Sequence, residues 1–81
     1  MLVAISASGN SPNILAVVQT AHALGVRVIG LTGRTGGHLA PASDFAVTVP
    51  SDSMEIVEDA HMVVAHSLCV AVRERLMSAP Q

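Results

Sequence analysis

The chain has 81 residues, 51% of them hydrophobic and only 12% charged, with a formal net charge of −2. That is room for one small domain, too apolar for disorder and too poor in charge to cover its own surface, so a partner is expected to hide part of it. Four arginines and no lysine exclude the basic footprint of a nucleic-acid binder.

The remaining compositional limits are brief. A single cysteine, Cys69, permits no internal disulfide and fits a reducing compartment. No basic stretch follows Met1, so no signal peptide is expected and a cytoplasmic location is. The longest near-apolar run, Met62 to Val72, is interrupted by His66 and Ser67 and falls short of the roughly 20 residues that a membrane span needs.

Leu2 to Ile5 is continuously apolar, as in a strand covered on both faces of a parallel sheet. It runs into Ser6-Ala7-Ser8-Gly9-Asn10-Ser11, a turn of short hydroxyls and backbone donors. A helix follows, with Ser11 as cap and Pro12 at its first position, where no N–H is missed. Ile14, Val17, Val18, Ala21 and Leu24 give that helix one apolar face, and Gly25 ends it in the left-handed conformation. Val26 to Leu31 reads as the second strand and Thr32 to Gly37 as a second glycine-rich turn. The strand–helix–strand order predicts a right-handed parallel crossover, with both turns outside the carboxyl ends of the strands.

His38 to Ser43 predicts an irregular or one-turn segment broken by Pro41. Phe45 to Val49 reads as a third strand, stopped by Pro50. Asp52, with Glu55 three residues on, reads as an acidic helix start. The last helix is predicted from Met54 to about Met77, with Glu55, Glu58 and Asp59 early and Arg73 and Arg75 late, as its dipole favours. Its middle, Val63 to Val72, is apolar nearly all round and predicts burial on several sides. Three strands and two helices cannot supply that cover. Residues 1–81 therefore read as one α/β unit without repeats or linkers.

Two constellations carry chemistry. In the first, Ser6, Ser8 and Ser11, with backbone N–H groups at a helix N-terminus, form an anion site suited to a phosphate; an ordinary Ser-capped turn has the same composition. It lacks the Gly-Lys-Ser/Thr of a Walker loop and the dinucleotide fingerprint, so no nucleotide cofactor is expected. The second is Glu58, Asp59, His61 and His66 on the last helix. At about 100° per residue, Glu58 and His66 are roughly 80° and 12 Å apart, Asp59 and His66 share a face, and His61 points elsewhere. His66 reads either as an acid–base group or metal ligand or as a packed helix histidine. His22 suits a helix C-terminus; His38 reads as a solvated loop residue before a site-facing one, and Arg34 as a surface residue before a phosphate contact. Cys69 reads as a buried small hydrophobe, and Met54, Met62 and Met77 as core or interface filler.

Taken together, Ile5-Ser6-Ala7-Ser8-Gly9-Asn10-Ser11, Val28-Ile29-Gly30-Leu31-Thr32-Gly33 and Ile56-Val57-Glu58-Asp59-Ala60-His61 with His66 resemble the sugar isomerase (SIS) domain of the phosphoheptose isomerase family, over nearly the whole chain. The resemblance implies a Rossmann-like three-layer sandwich of a parallel sheet and flanking helices, here a partial domain corresponding to the carboxyl-terminal half. It implies that Ser6, Ala7, Ser8 and Ser11 hold the phosphate of a sugar phosphate, Ala7 standing where a threonine is usual. His66 matches a catalytic histidine that also ligates zinc in some members, and Glu58 stands where a site glutamine is usual, so Glu58 and His66 are the candidate zinc ligands. The implied reaction converts sedoheptulose 7-phosphate to a heptose 7-phosphate through an enediol, with a glutamate partner outside these residues. A homo-oligomer, tetramer or dimer, built through the last helix is also implied. The alternative is a non-catalytic SIS module that senses a phosphosugar or docks a protein, as relatives that bind the bacterial replication initiator do.

Overall fold

Alternating side chains on three short strands set the architecture. The structure, a computed structural model, describes residues 1–78. Its elements are β1 (Leu2–Ser6), α1 (Pro12–Ala23), β2 (Val28–Gly33), α2 (Leu39–Ala42), β3 (Phe45–Val49) and α3 (Met54–Ser78). The strands form one parallel sheet in the order β1-β2-β3. Its register places Ser6 beside Thr32 and Thr32 beside Thr48.

Successive strand residues face opposite sides of the sheet, and the two sides are covered differently. Ala4 and Val28 join Val18 and Ala21 of α1 and Leu39 of α2 in the buried core, with Leu2, Ile14, Leu15 and Val26 packed around it. On the other side Val3 faces a groove under α3. Helices α1 and α2 thus share one face, and α3 lies on the opposite one.

The face of α1 is displaced from the expected one. Ile14, Leu15, Val18 and Ala21 meet the sheet, whereas Val17 and Leu24 are exposed, because the core-facing stripe of a helix this short is centred on one side of Val18. Strand β2 begins two residues later than predicted and runs on through Thr32 and Gly33, which pair with Thr48 and Val49. Propensity alone makes Thr-Gly a turn; a strand on the far side supplies the pairing that keeps it extended. β3 has the predicted bounds, and Gly25 takes the expected left-handed conformation, φ 75°. At the start of α3, Ser53 precedes the first helical residue and donates its hydroxyl proton to Glu55 Oε2 at 3.0 Å. Asp52 pairs instead with Arg34. The Glu55 carboxyl lies below its ordinary pKa because its own backbone N–H and then the Ser53 hydroxyl favour the charged form.

Helix α3 is mostly uncovered. Only Val57 and His61, four residues apart on one face, are buried in it. As the shortage of cover implies, this chain does not bury the apolar middle of the helix: Val63, Val70 and Val72 are exposed, with Met54, Met62 and Met77, and Cys69, read as a buried small hydrophobe, is exposed too. The helix crosses the end of β2 and then runs beyond the sheet, giving extents of 44 × 31 × 16 Å. A groove of about 650 Å³ opens between it and β1, lined by Met1, Val3, Leu68, Cys69, Val72 and Leu76 among others. The sheet face beneath is uncovered as well, with Val3 38%, Ile5 47%, Phe45 58% and Val47 39% exposed. Among the described residues, no helix is long and apolar enough to cross a membrane.

Asp44, just ahead of β3, fastens the other end of the sheet. Its Oδ2 accepts the Val28 N–H at 2.7 Å and lies 3.0 Å from His22 Nε2 at the end of α1. The Val28 N–H, then the His22 side chain, hold the carboxyl below its ordinary pKa. A carboxylate depressed by folding stabilises the native state above its unfolded value, about 3.9, and loses that contribution as pH falls through the lower folded value. Melting temperature should therefore fall more steeply below about pH 4 in the wild type than in Asp44→Asn, which has no charge to lose. Parallel melting curves from pH 5 to 3 check this.

Candidate functional site

The site is the pair of turns at the carboxyl ends of β1 and β2, and each turn builds the other. In the serine turn, the buried Ser6 Oγ accepts the Gly9 N–H at 3.2 Å and the exposed Ser8 Oγ accepts the Asn10 N–H at 3.1 Å. Both hydroxyls therefore brace the turn through a lone pair and keep their own protons to donate. Ser11 is the N-cap of α1 by its backbone, Leu15 N–H reaching its carbonyl at 3.0 Å, but its hydroxyl makes no capping bond. With Pro12 opening α1, the free hydroxyls of Ser8 and Ser11 and the unpaired N–H donors of the helix start lie within the seven residues from Ser8 to Ile14.

The glycine turn after β2 locks this arrangement. Leu39 N–H donates to Gly9 carbonyl at 2.9 Å and Gly33 N–H to Ala7 carbonyl at 2.9 Å. Asn10 Oδ1 accepts both the His38 backbone N–H at 3.0 Å and its Nδ1–H at 2.7 Å. His38, read as a solvated loop residue, is thus part of the brace. Arg34, in the same turn, has a left-handed backbone, φ 52°, a conformation that costs a non-glycine residue about 1 kcal/mol or more. Its guanidinium is 3.5 Å from Asp52. Together with Ala7, Ser8, Met54 and Val57 these two residues line a small cleft of about 60 Å³ beside the serine turn.

The predicted residues fall into two places. Ser6, Ala7, Ser8 and Ser11 are together, with the start of α3 beside them. Glu58 and His66 are exposed on α3, and His66, nine residues past the buried Val57, lies roughly 180° around the helix and about 13 Å farther along it. It faces away from the sheet. Among the described residues no three His, Cys, Asp or Glu side chains converge as a metal group, so Glu58 and His66 alone do not make a zinc donor set. His61 is the residue that spacing undervalues. It is buried, and its Nε2–H donates to Thr32 carbonyl at 2.8 Å. The signal for it is in the sequence: four residues from Val57, it shares the one face of α3 that meets the sheet.

Residues 1–33 match the family model described as SIS domain. The chain is 44% identical over 78 residues to a phosphoheptose isomerase of Rhodospirillum rubrum, covering 96% of this chain and 42% of that protein. With the phosphoheptose isomerase of Thiobacillus denitrificans it shares 42% identity over 84 aligned residues, spanning 100% and 43% of the two chains. Among solved structures it is similar to a phosphoheptose isomerase from Francisella tularensis (TM-score 0.78, 39% identity, 84% of this chain and 38% of that one). The enzyme from Neisseria gonorrhoeae gives a TM-score of 0.82 at 35% identity, over 88% and 41%. The fold is thus that of a portion of these SIS proteins, and the chain spans about two fifths of the length of the curated relatives it matches.

Proposed function

From this likeness to phosphoheptose isomerases, we propose that the chain is the phosphosugar-binding portion of an aldose–ketose isomerase, with the serine turn as its phosphate cradle. The observation that carries the reading is the turn itself. Ser8 and Ser11 keep hydroxyl protons to donate at the N-terminus of α1, on a backbone braced by a second turn, which is how a fixed anion site is built without a lysine.

The substrate in this reading is sedoheptulose 7-phosphate, whose phosphate and carbonyl are at opposite ends of the molecule. The serine turn anchors the phosphate, and Ala7 contributes backbone in place of a hydroxyl. At the other end, a base removes a proton from C1 and an acid protonates the carbonyl oxygen, giving the enediol. Return of a proton to C2, with loss of the hydroxyl proton from O1, leaves an aldehyde at C1. His66 is one member of that acid–base pair, since imidazole exchanges protons near neutrality. Because it faces away from the sheet, it acts in a site completed by polypeptide beyond these 81 residues or by a second copy packed on α3. A homo-oligomer formed through α3 would also cover Val63, Val70 and Val72. If zinc is bound, Glu58 and His66 are the donors this chain offers; the remaining donors come from elsewhere, and zinc would supply Lewis acidity at the sugar oxygens.

The test is thermal melting of the chain with and without sedoheptulose 7-phosphate. A ligand that binds only the folded state raises the melting temperature, and Ser8→Ala should remove most of that rise while lowering the ligand-free melt only by the worth of the exposed Asn10–Ser8 hydrogen bond. An equal rise in wild type and Ser8→Ala would refute the cradle. In a complex restored to full relative length, His66→Ala should abolish turnover but retain the ligand-induced rise.

A further inference from the structure

One peptide group, Thr32–Gly33, sits between α3 and the serine turn and is held from both ends. Its carbonyl accepts the Nε2–H of His61 at 2.8 Å. Its N–H donates to Ala7 carbonyl at 2.9 Å. Thr32 and His61 are buried, so both bonds lie where water does not compete and the local dielectric is low. The next peptide group in line is Ala7–Ser8. Its carbonyl is the acceptor just named, and its N–H belongs to Ser8, which is exposed and donates to no other group among the described residues.

We propose that His61 is a positioning residue for the phosphate cradle, acting through a hydrogen-bond relay of His61 Nε2–H, the Thr32–Gly33 peptide and the Ala7–Ser8 peptide that ends on the Ser8 N–H. The proposal rests on the phosphate reading of the serine turn. A carbonyl that accepts a bond polarises its own peptide and strengthens the donor on the other side, so bonds in series reinforce one another. The ring nitrogen facing a carbonyl must be the protonated one, which fixes the tautomer of His61. The relay also sets geometry. Val57, one turn before His61, packs so closely on Gly33 that a Cβ there would lie 2.8 Å from the valine methyl and 2.9 Å from Ala7 carbonyl oxygen. The helix bearing Glu58 and His66 is thereby indexed against the turn that holds the phosphate.

Amide NMR of the chain tests this, comparing wild type, His61→Gln, which keeps a donor at similar reach, and His61→Leu, which has none. Without ligand, the Gly33 and Ser8 amide protons should move upfield in His61→Leu and return toward wild-type positions in His61→Gln. With inorganic phosphate and then sedoheptulose 7-phosphate, His61→Leu should bind roughly three- to tenfold more weakly, the worth of one net hydrogen bond, and His61→Gln close to wild type. Unchanged Gly33 and Ser8 amides in a folded His61→Leu, or undiminished phosphate affinity, would overturn the relay. If His61→Leu does not fold, the wild-type titration decides: phosphate must shift Ser8, Gly33 and the His61 ring signal together, and a shift at Ser8 alone is fatal. If phosphate moves none of the turn amides, the cradle reading fails, and the ligand-free shifts still judge the relay.

Discussion

Gly9→Ala is expected to abolish the native fold or to cost it about 3 kcal/mol or more, since two penalties combine. Gly9 has φ 72°, and a Cβ placed on it would lie 2.1 Å from Gly36 carbonyl oxygen and 2.6 Å from its carbon. Both obstacles are backbone, so no rotamer change relieves them. To make room, the serine and glycine turns must separate, which breaks the Leu39–Gly9 bond and loosens the Asn10 bonds to His38. Gly25→Ala provides the control. Its φ is 75°, yet nothing lies within 4 Å of the added methyl, so only the left-handed penalty of about 1–2 kcal/mol applies. Urea denaturation of both variants should show Gly9→Ala far the less stable, and comparable midpoints would mean that the two turns do not depend on each other.

Leu39→Ala is the second large effect. Leu39 is fully buried between α1 and the sheet, packed with Ala4, Val18 and Val28. It is also the residue through which the short helix α2 reaches the core. Removing a buried leucine side chain costs about 2–5 kcal/mol, the transfer of its methyl groups plus the cavity left behind. For a domain of 81 residues the whole stability is roughly 4–12 kcal/mol, so this one truncation removes a large share of it. The urea midpoint should drop accordingly, whereas Leu24→Ala, at a 75% exposed position, should stay within about 0.5 kcal/mol of wild type. Because α2 follows directly on the glycine turn, Leu39→Ala should also weaken sugar-phosphate binding. Equal stability of the two variants would show that α2 is not part of the cooperative unit.

Much of the candidate site is legible in the chain. Ser6 to Ser11 has the composition of a strand-to-helix turn, Pro12 marks the helix start, and Thr32 to Gly37 marks the end of the second strand. The bracing contacts are not legible, because they join residues far apart in the chain: Asn10 with His38, Ala7 with Gly33, His22 with Asp44. His38 and His22 read as surface groups until the other turn or the other strand is in place. Cys69 and Val63 read as buried for the opposite reason. Apolar character states that a residue is better out of water, but not which surface removes it, and the described residues do not supply that surface.

The kinds and order of the elements, the bounds of β3, the place of the polar turns and the resemblance carried by three short blocks are all legible along the chain. These are set by local preferences: the fixed φ of proline, the left-handed freedom of glycine at position 25, and apolar runs of strand or helix length. The packing of α3 on β2 decided that His61 is the buried histidine, with its ring on Thr32 carbonyl. It likewise decided that His66 turns outward and that α3 leaves a sheet face uncovered. Burial and hydrogen bonding of that kind depend on which distant surface arrives at a residue, and local sequence does not encode that arrival.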